Sequence, residues 1–265
     1  MKMWFVRLKK LYALLPPLIV RDIKEKYAGS AAGVLWTVMQ PLMTIILFWL
    51  VFSKIMKIRI HVDTGEIPFL PFLLSGLLPW FAIQEGVMRG ASAIVDKGYI
   101  IKKVFYPSEL FPLSAVLSSL IHHGVGFFIF LAAYFVITGV TSLFQLPMIM
   151  ALLLMQGILT AGLAFFLSAL SVYIRDILQA LGLLFQAVFY MTTILYPIQQ
   201  VPEGLKPVVL MNPFTLLMEA YHSVILYGRQ PDIGSFAYLF FLSVAVFAIG
   251  LYVFRRLKAG FADVL

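Results

Sequence analysis

Long runs free of Asp, Glu, Lys and Arg alternate with short charged segments along this 265-residue chain. Tyr27 to Ser53, Ile67 to Gln84, Leu110 to Ile174, Ile177 to Pro202 and Ile233 to Phe254 carry none of the four. A helix needs about 20 apolar residues to cross the hydrocarbon core of a bilayer. The run from Leu110 to Ile174 is long enough for two, with a break near Gly139 to Pro147. The pattern predicts an all-α polytopic membrane protein with six transmembrane helices. They are expected at about 34–56, 68–88, 112–138, 147–172, 177–199 and 234–254, in one membrane domain over 27–265. An inner loop is expected at 89–111.

Two segments do not fit a simple crossing. Residues 1–26 mix apolar and basic positions. Trp4, Leu8, Leu11 and Leu15 recur at helical spacing, while Arg7, Lys9 and Lys10 lie off that stripe. This predicts an N-terminal amphipathic helix resting in the membrane interface. Pro16, Pro17 and the charged residues from Arg21 to Lys26 do not suit a cleaved signal peptide. Residues 201–231 are apolar but broken by Pro202, Pro207, Pro213 and Gly228. Their runs are too short to span, which predicts two short outer-face re-entrant helices before the last crossing.

Charge gives the orientation. With the N-terminus inside, inner segments hold fifteen Lys and Arg and outer segments five. That is a positive-inside distribution with both termini cytoplasmic. It accounts for the net charge of +8 without a nucleic-acid partner. Hydrophobic residues make up 62% and charged ones 12%, which excludes a soluble enzyme and a disordered chain.

The chain is poor in catalytic signatures. It has no Cys, so no disulfide, thiolate metal site or catalytic thiol is possible. Gly-Lys never occurs, so the chain carries no P-loop. His122 and His123 are neighbours on the expected third helix. They should point about 100° apart, too far to share an ion from one helix, and are expected to hydrogen-bond between helices. Glu85 stands four residues before Arg89, the spacing of a local ion pair. No second deep ionisable partner is evident, which speaks against proton-driven transport. No metal is expected. The chain reads as a conduit whose energy source lies on another protein.

Several segments together carry a family resemblance. Arg21-Asp22-Ile23-Lys24-Glu25-Lys26-Tyr27, Gly33-Val34-Leu35-Trp36 and Gln40-Pro41-Leu42 open the first span. The inner loop reads Ile101-Lys102-Lys103-Val104-Phe105-Tyr106-Pro107-Ser108-Glu109-Leu110-Phe111-Pro112. Arg175-Asp176, Tyr196-Pro197 and Asn212-Pro213, then Tyr221-His222 and Gly228, follow in order. In these segments the chain resembles the membrane-spanning permease subunits of ABC exporters for lipid-linked polysaccharides: O-antigen, capsule and teichoic acid.

The resemblance implies a homodimer bound to two copies of a separate ABC ATPase, which holds ATP and Mg. This chain would bind no cofactor of its own. It implies export of an undecaprenyl-linked polysaccharide, O-antigen first among the candidates, across the cytoplasmic (inner) membrane. It also implies a channel lined by the first and fifth spans. The expected lining is Trp36, Gln40, Thr44 and Phe48 with Phe185, Phe189, Tyr190 and Tyr196, since flat rings suit sugar C–H faces. Arg21, Lys24 and Lys26 are the candidates for the lipid pyrophosphate, because Arg and Lys bind phosphate. Asp96, Lys97, Tyr99, Lys102, Lys103, Phe105 and Glu109 form the expected coupling loop to the ATPase. Asn212, Glu219, Tyr221 and His222 mark the outer segment. Two alternatives remain open at this point: an ABC exporter of a small molecule, and a membrane enzyme acting on polyprenyl-linked sugars. The scattered acidic residues speak against the enzyme.

Overall fold

The computed structural model describes the backbone of residues 2–62, 65–103, 107–139 and 145–265. Side chains are described for 13–33, 35–60, 65–102, 107–139 and 145–265. The stripe of Trp4, Leu8 and Leu11, with Arg7, Lys9 and Lys10, therefore lies outside the described side chains, as do Lys103 and Phe105. Helix α1 (Lys2–Lys26) is followed by α2 (Trp36–Ile55), whose last turns, Trp49–Ile55, are π-helical. A hairpin of β1 (Arg59–Val62) and β2 (Gly65–Pro68) leads into α3 (Phe69–Asp96) and the short α4 (Gly98–Lys103). Then come α5 (Leu110–Thr138), α6 (Gln145–Ser171), α7 (Asp176–Met191), α8 (Lys206–Met211), α9 (Pro213–Ile225), α10 (Ile233–Leu257) and α11 (Phe261–Val264).

Among the described residues, five helical segments, α2, α3, α5, α6 and one starting with α10, are long and apolar enough to cross a membrane. The expected helix over 177–199 is shorter: α7 has 16 residues, about 24 Å at 1.5 Å per residue, against a core of about 30 Å. It stops because Thr192 turns extended, with φ −102° and ψ 142°. A β-branched pair, Thr192-Thr193, and the restriction that Pro197 places on Tyr196 disfavour continuing the helix. Helix α5 ends on Gly139, whose φ of +66° suits a residue without Cβ and whose N–H caps the Phe135 carbonyl. The β-hairpin went unforeseen. Its register pairs Ile60 with Ile67 and Val62 with Gly65.

Helix α3 is the axis of the molecule. Nearly three quarters of its most apolar window is buried, compared with 6% for α2. It packs on α5 and α6, while α6 also packs on α10. Trp80 of α3 is buried among Phe185, Phe189 and Phe214, with ring centroids 5.5–5.8 Å away. Within a bilayer, water does not drive helices together, so close backbone approach at small residues matters more. Gly162 of α6 and Gly250 of α10 meet directly: a Cβ on Gly250 would strike the Gly162 carbonyl, and one on Gly162 would lie 2.6 Å from the Phe247 backbone.

That contact yields a prediction. Gly250→Leu forces α6 and α10 apart and costs about 1–3 kcal/mol, the usual range for overpacking. It should lower the thermal midpoint in detergent well below that of Gly124→Leu, since a Cβ at Gly124 meets open space.

Candidate functional site

The polar residues that α3 and α5 carry at one end converge on the end of α1. Both carboxylate oxygens of Glu85 accept from Lys26 Nζ at 2.8 Å. Arg89 Nη1 lies 3.3 Å from Glu85 Oε1, and His123 Nε2 lies 2.8 Å from Oε2. Arg89 also donates to Ser118 Oγ at 3.4 Å and to the Asp22 carbonyl at 3.3 Å. The Tyr27 hydroxyl is 3.2 Å from His122 Nδ1, and the buried Asp22 carboxylate accepts from Ser114 at 2.7 Å. A carboxylate placed among apolar helices is costly unless paired, and Glu85 is paired from three sides.

This corrects two expectations. Glu85 makes its local pair with Arg89, but it also binds Lys26 and His123 from elsewhere in the chain, so ionisable partners are present. His122 and His123 do not diverge as their spacing suggests: their ring centroids are 4.8 Å apart. One donor atom from each and one from Glu85 lie within 4.8 Å of one another. Lys26 already occupies both oxygens of that carboxylate, so the group reads as an ion-paired knot tying α1 to α3 and α5.

Of the candidate phosphate ligands, Lys26 is therefore engaged with Glu85. Arg21 lies 3.2 Å from Glu25 Oε1 and 3.8 Å from Asp22. Lys24 is exposed and lines a groove of about 700 Å³ on α1 with Pro16, Pro17, Val20, Arg21, Glu25 and Ala28. Glu25 also accepts from Lys97 at 2.9 Å, and that hydrogen bond holds its carboxyl below the ordinary range.

The aromatic candidates divide between a packed face and an open one. Phe185 is buried against Trp80, which corrects its placement on a channel surface. Phe189 is half-buried on the same ring. Tyr190 is 58% exposed and its carbonyl accepts from the Tyr196 hydroxyl at 2.8 Å. Gln40 is exposed, Thr44 and Phe48 are half-buried, and Trp36 donates to Ser30 at 3.0 Å. The exposed face of α2 carries Met39, Met43, Ile46, Leu47 and Leu50; that of α7 carries Leu183, Leu184 and Met191.

In the 89–111 region, Asp96 accepts from Ser92 at 2.7 Å, Tyr99 is 71% exposed and Lys102 is exposed. Glu109 accepts from Lys258 at 2.7 Å. Helix α11 packs on α4, so the last residues of the chain brace this loop. In the 201–231 region, Asn212 caps α9 through the Phe214 N–H at 3.0 Å and donates to Thr192 at 3.0 Å. Tyr221 and His222 are fully buried. The Tyr221 hydroxyl donates to Gln156, whose amide donates to the Pro79 carbonyl. Sequence reasoning missed Gln156, Asp22 and Ser114. For Gln156 and Ser114 a polar residue inside an apolar run was the available signal; Asp22 stands in a charged segment and carried none.

The architecture is that of a helical membrane protein whose described polar groups hold helices together, with no P-loop in its sequence. A family match gives the class a more particular form. The ABC-2 type transporter family matches residues 17–226, and the chain belongs to that family. It is 26% identical over 258 residues to an O-antigen export system permease protein, RfbA, of Klebsiella pneumoniae, covering 96% of each chain. It is 29% identical over 256 residues to an RfbA of Myxococcus xanthus, covering 94% of each. It is also 23% identical over 241 residues to the polysialic acid transport protein KpsM of Escherichia coli, covering 90% of this chain and 91% of that one.

Two predictions follow from the knot. Glu85→Gln removes the shared anion and should cost about 2–3 kcal/mol, the scale of charged hydrogen bonds. Hydrogen exchange should then rise at the end of α1, and the swap of Lys26→Glu with Glu85→Lys should recover part of the protection. The Glu25–Lys97 tie has the usual carboxylate sign. A depressed folded pKa gives stability that is present above the ordinary Glu pKa of about 4.3 and lost as pH falls through the folded value. The protection factor around Lys97, with the intrinsic pH dependence of exchange divided out, should therefore be constant near neutrality and fall only in acid.

Proposed function

We propose that this chain is the permease subunit of an ABC exporter for an undecaprenyl-linked polysaccharide, most directly an O-antigen, in the cytoplasmic membrane. Two copies form the pathway and two copies of a separate ATPase drive it. Six crossings are completed by α7 together with the turn over 192–197, and α8 and α9 re-enter from the outer side. Both termini are cytoplasmic. The observation that carries the reading is end-to-end similarity to O-antigen export permeases. The chain's lack of a P-loop supports a separate ATPase.

The pathway is read at α2 and α7. These helices bury least of themselves within one chain: 6% of the α2 window, and in α7 only Leu181 and Phe185. Their open faces meet across the dimer, with Gln40, Thr44 and Tyr190 giving a wet, partly aromatic wall to a bulky glycan. Trp36, Phe48, Phe189 and Tyr196 flank that wall, and Phe185 supports it from behind. Helix α4 and its neighbours, Asp96 to Glu109, face the ATPase. The lipid pyrophosphate is received by Lys24 and Arg21, whose groove lies on the outside of α1. Lys26 holds α1 in place for them. Capsular polysaccharide and teichoic acid are the nearest other cargoes, and similarity to a polysialic acid transport protein keeps other acidic polysaccharides in view.

The test is ATPase activity in nanodiscs of this chain co-expressed with the ATPase encoded beside it. Stable co-purification and stimulation by a lipid-linked glycan are expected. Tyr99→Ala, at a side chain 71% exposed, should reduce stimulation without preventing co-purification. A complex that ignores lipid-linked glycans overturns the cargo; failure to form any complex overturns the permease assignment.

A further inference from the structure

A cavity of about 710 Å³ lies between α3, α5 and α6. Leu117, Leu120, Ile121, Gly124 and Phe128 give it one stripe of α5, at i, i+3, i+4, i+7 and i+11. Leu78, Pro79 and Ala82 of α3 form a second wall, and Met150, Leu153 and Leu154 of α6 a third. The space is open where a side chain would fill it: a Cβ at Gly124 meets nothing within 4 Å. Ile121, Phe128, Met150 and Leu154 are 45–64% exposed and mark the mouth.

Depth and chemistry limit what enters. At 1.5 Å per residue the α5 stripe starts about 10 Å from the first residue of the helix and stops about 15 Å from the last. That is the middle of a crossing, where hydrocarbon is the solvent. Two polar residues stand in the wall, and both are engaged elsewhere. Gln156 donates to the Pro79 carbonyl and accepts from Tyr221, while His123 Nε2 lies 2.8 Å from Glu85 Oε2. A glycan would lose its hydration there and gain few hydrogen bonds. Water does not settle in an apolar cavity either. An empty space of this size is costly too, because the atoms around it lose their dispersion partners.

The mouth faces away from α2. Gly126 packs against Pro41 of α2, and Gly124 lies about 200° away around α5. A second copy that meets this chain at α2 and α7 therefore leaves the mouth to the bilayer. Volume then selects among lipid chains. A methylene fills about the space of a water molecule, whose share of liquid volume is about 30 Å³. The cavity holds about two dozen such groups, enough for one acyl chain. An undecaprenyl chain has more than twice as many carbons and does not fit inside. We propose that the cavity between α3, α5 and α6 is a binding site for one acyl chain of a membrane phospholipid, held as a resident ligand. The chain fills the space left at Gly124 and lies against His123, a member of the knot at Glu85. The inference is independent of the cargo and rests on the second copy lying at α2 and α7.

The experiment is photolabelling of the full chain in nanodiscs that contain a phosphatidylcholine with a diazirine at mid-chain, with adducts mapped by mass spectrometry. One sample is irradiated in the nanodisc and a second after exchange into detergent. In the nanodisc, adducts are expected in the cavity, at Leu120, Gly124 or Leu153, and on the open face of α10 at Phe241, which is 70% exposed. After exchange, cavity adducts should persist while those at Phe241 fall several-fold. Gly124→Leu, which fills the space, should remove the persistent adducts and leave Phe241 labelling in the nanodisc unchanged. If Gly124→Leu does not fold, Leu154→Trp at the mouth takes its place. Cavity adducts that fall together with those at Phe241 overturn the site and leave ordinary bilayer contact. Persistent adducts that survive Gly124→Leu, or Leu154→Trp where Gly124→Leu does not fold, also overturn it. Absence of cavity adducts in the nanodisc overturns it as well. If Phe128→Cys then crosslinks two copies, the placement of the second copy has failed; if it does not, the acyl-chain site alone has failed.

Discussion

Hydrocarbon offers no hydrogen bonds, so each polar side chain on a membrane helix must find its partner on another helix or leave the bilayer. That constraint arranges this molecule around α3. Glu85 and Arg89 toward its C-terminal end draw in Lys26 of α1 and His123 of α5. The Pro79 carbonyl takes the Gln156 amide of α6, and the other end of that amide takes Tyr221 of α9. The Phe72 carbonyl takes His222, again from α9. Along one helix, three levels of polar contact therefore fix the positions of α1, α5, α6 and α9, while apolar packing and small residues fill the space between.

The same constraint explains which helices remain open. Helices α2 and α7 have few polar contacts to the bundle around α3, and their outward faces are largely apolar, with Gln40, Gln179 and Gln186 exposed among them. A transporter needs a scaffold that stays put and surfaces that can part. A knot of charges at the end of α1 suits the first need, because it anchors the segment immediately before α2. The shallowly packed α2 and α7 suit the second. The C-terminal residues act in a comparable way just beyond the end of α3: Lys258 holds Glu109, and α11 lies against α4.

Much of the fold was legible because the bilayer enforces it. Charge-free runs located the long helices, and Gly139 marked the break between α5 and α6. The end of α7 was not legible from charge, because Thr192 to Pro197 is as free of charge as the helix before it and only backbone preference stops it. The hairpin at 59–68 was hidden by its brevity, although Asp63-Thr64-Gly65 is a turn-like sequence. At the site, residue types were easier to read than partners. Glu85 and Arg89 were paired by spacing, but Lys26 and His123 come from 59 and 38 residues away, a separation no local pattern reveals. Phe185 was placed on a helical stripe with Phe189, yet one turn decides between the packed side and the open side.

The central claim is that the open faces of α2 and α7 meet their counterparts in a second copy. The absence of cysteine makes this directly measurable, since any cysteine introduced is unique. Leu47→Cys on α2 and Leu184→Cys on α7 should give a covalent dimer with a short bismaleimide in native membranes. Phe128→Cys, on the exposed side of α5, should stay monomeric under the same conditions. Crosslinking at Phe128 with none at Leu47 or Leu184 would contradict the account and move the pathway to another face of the molecule.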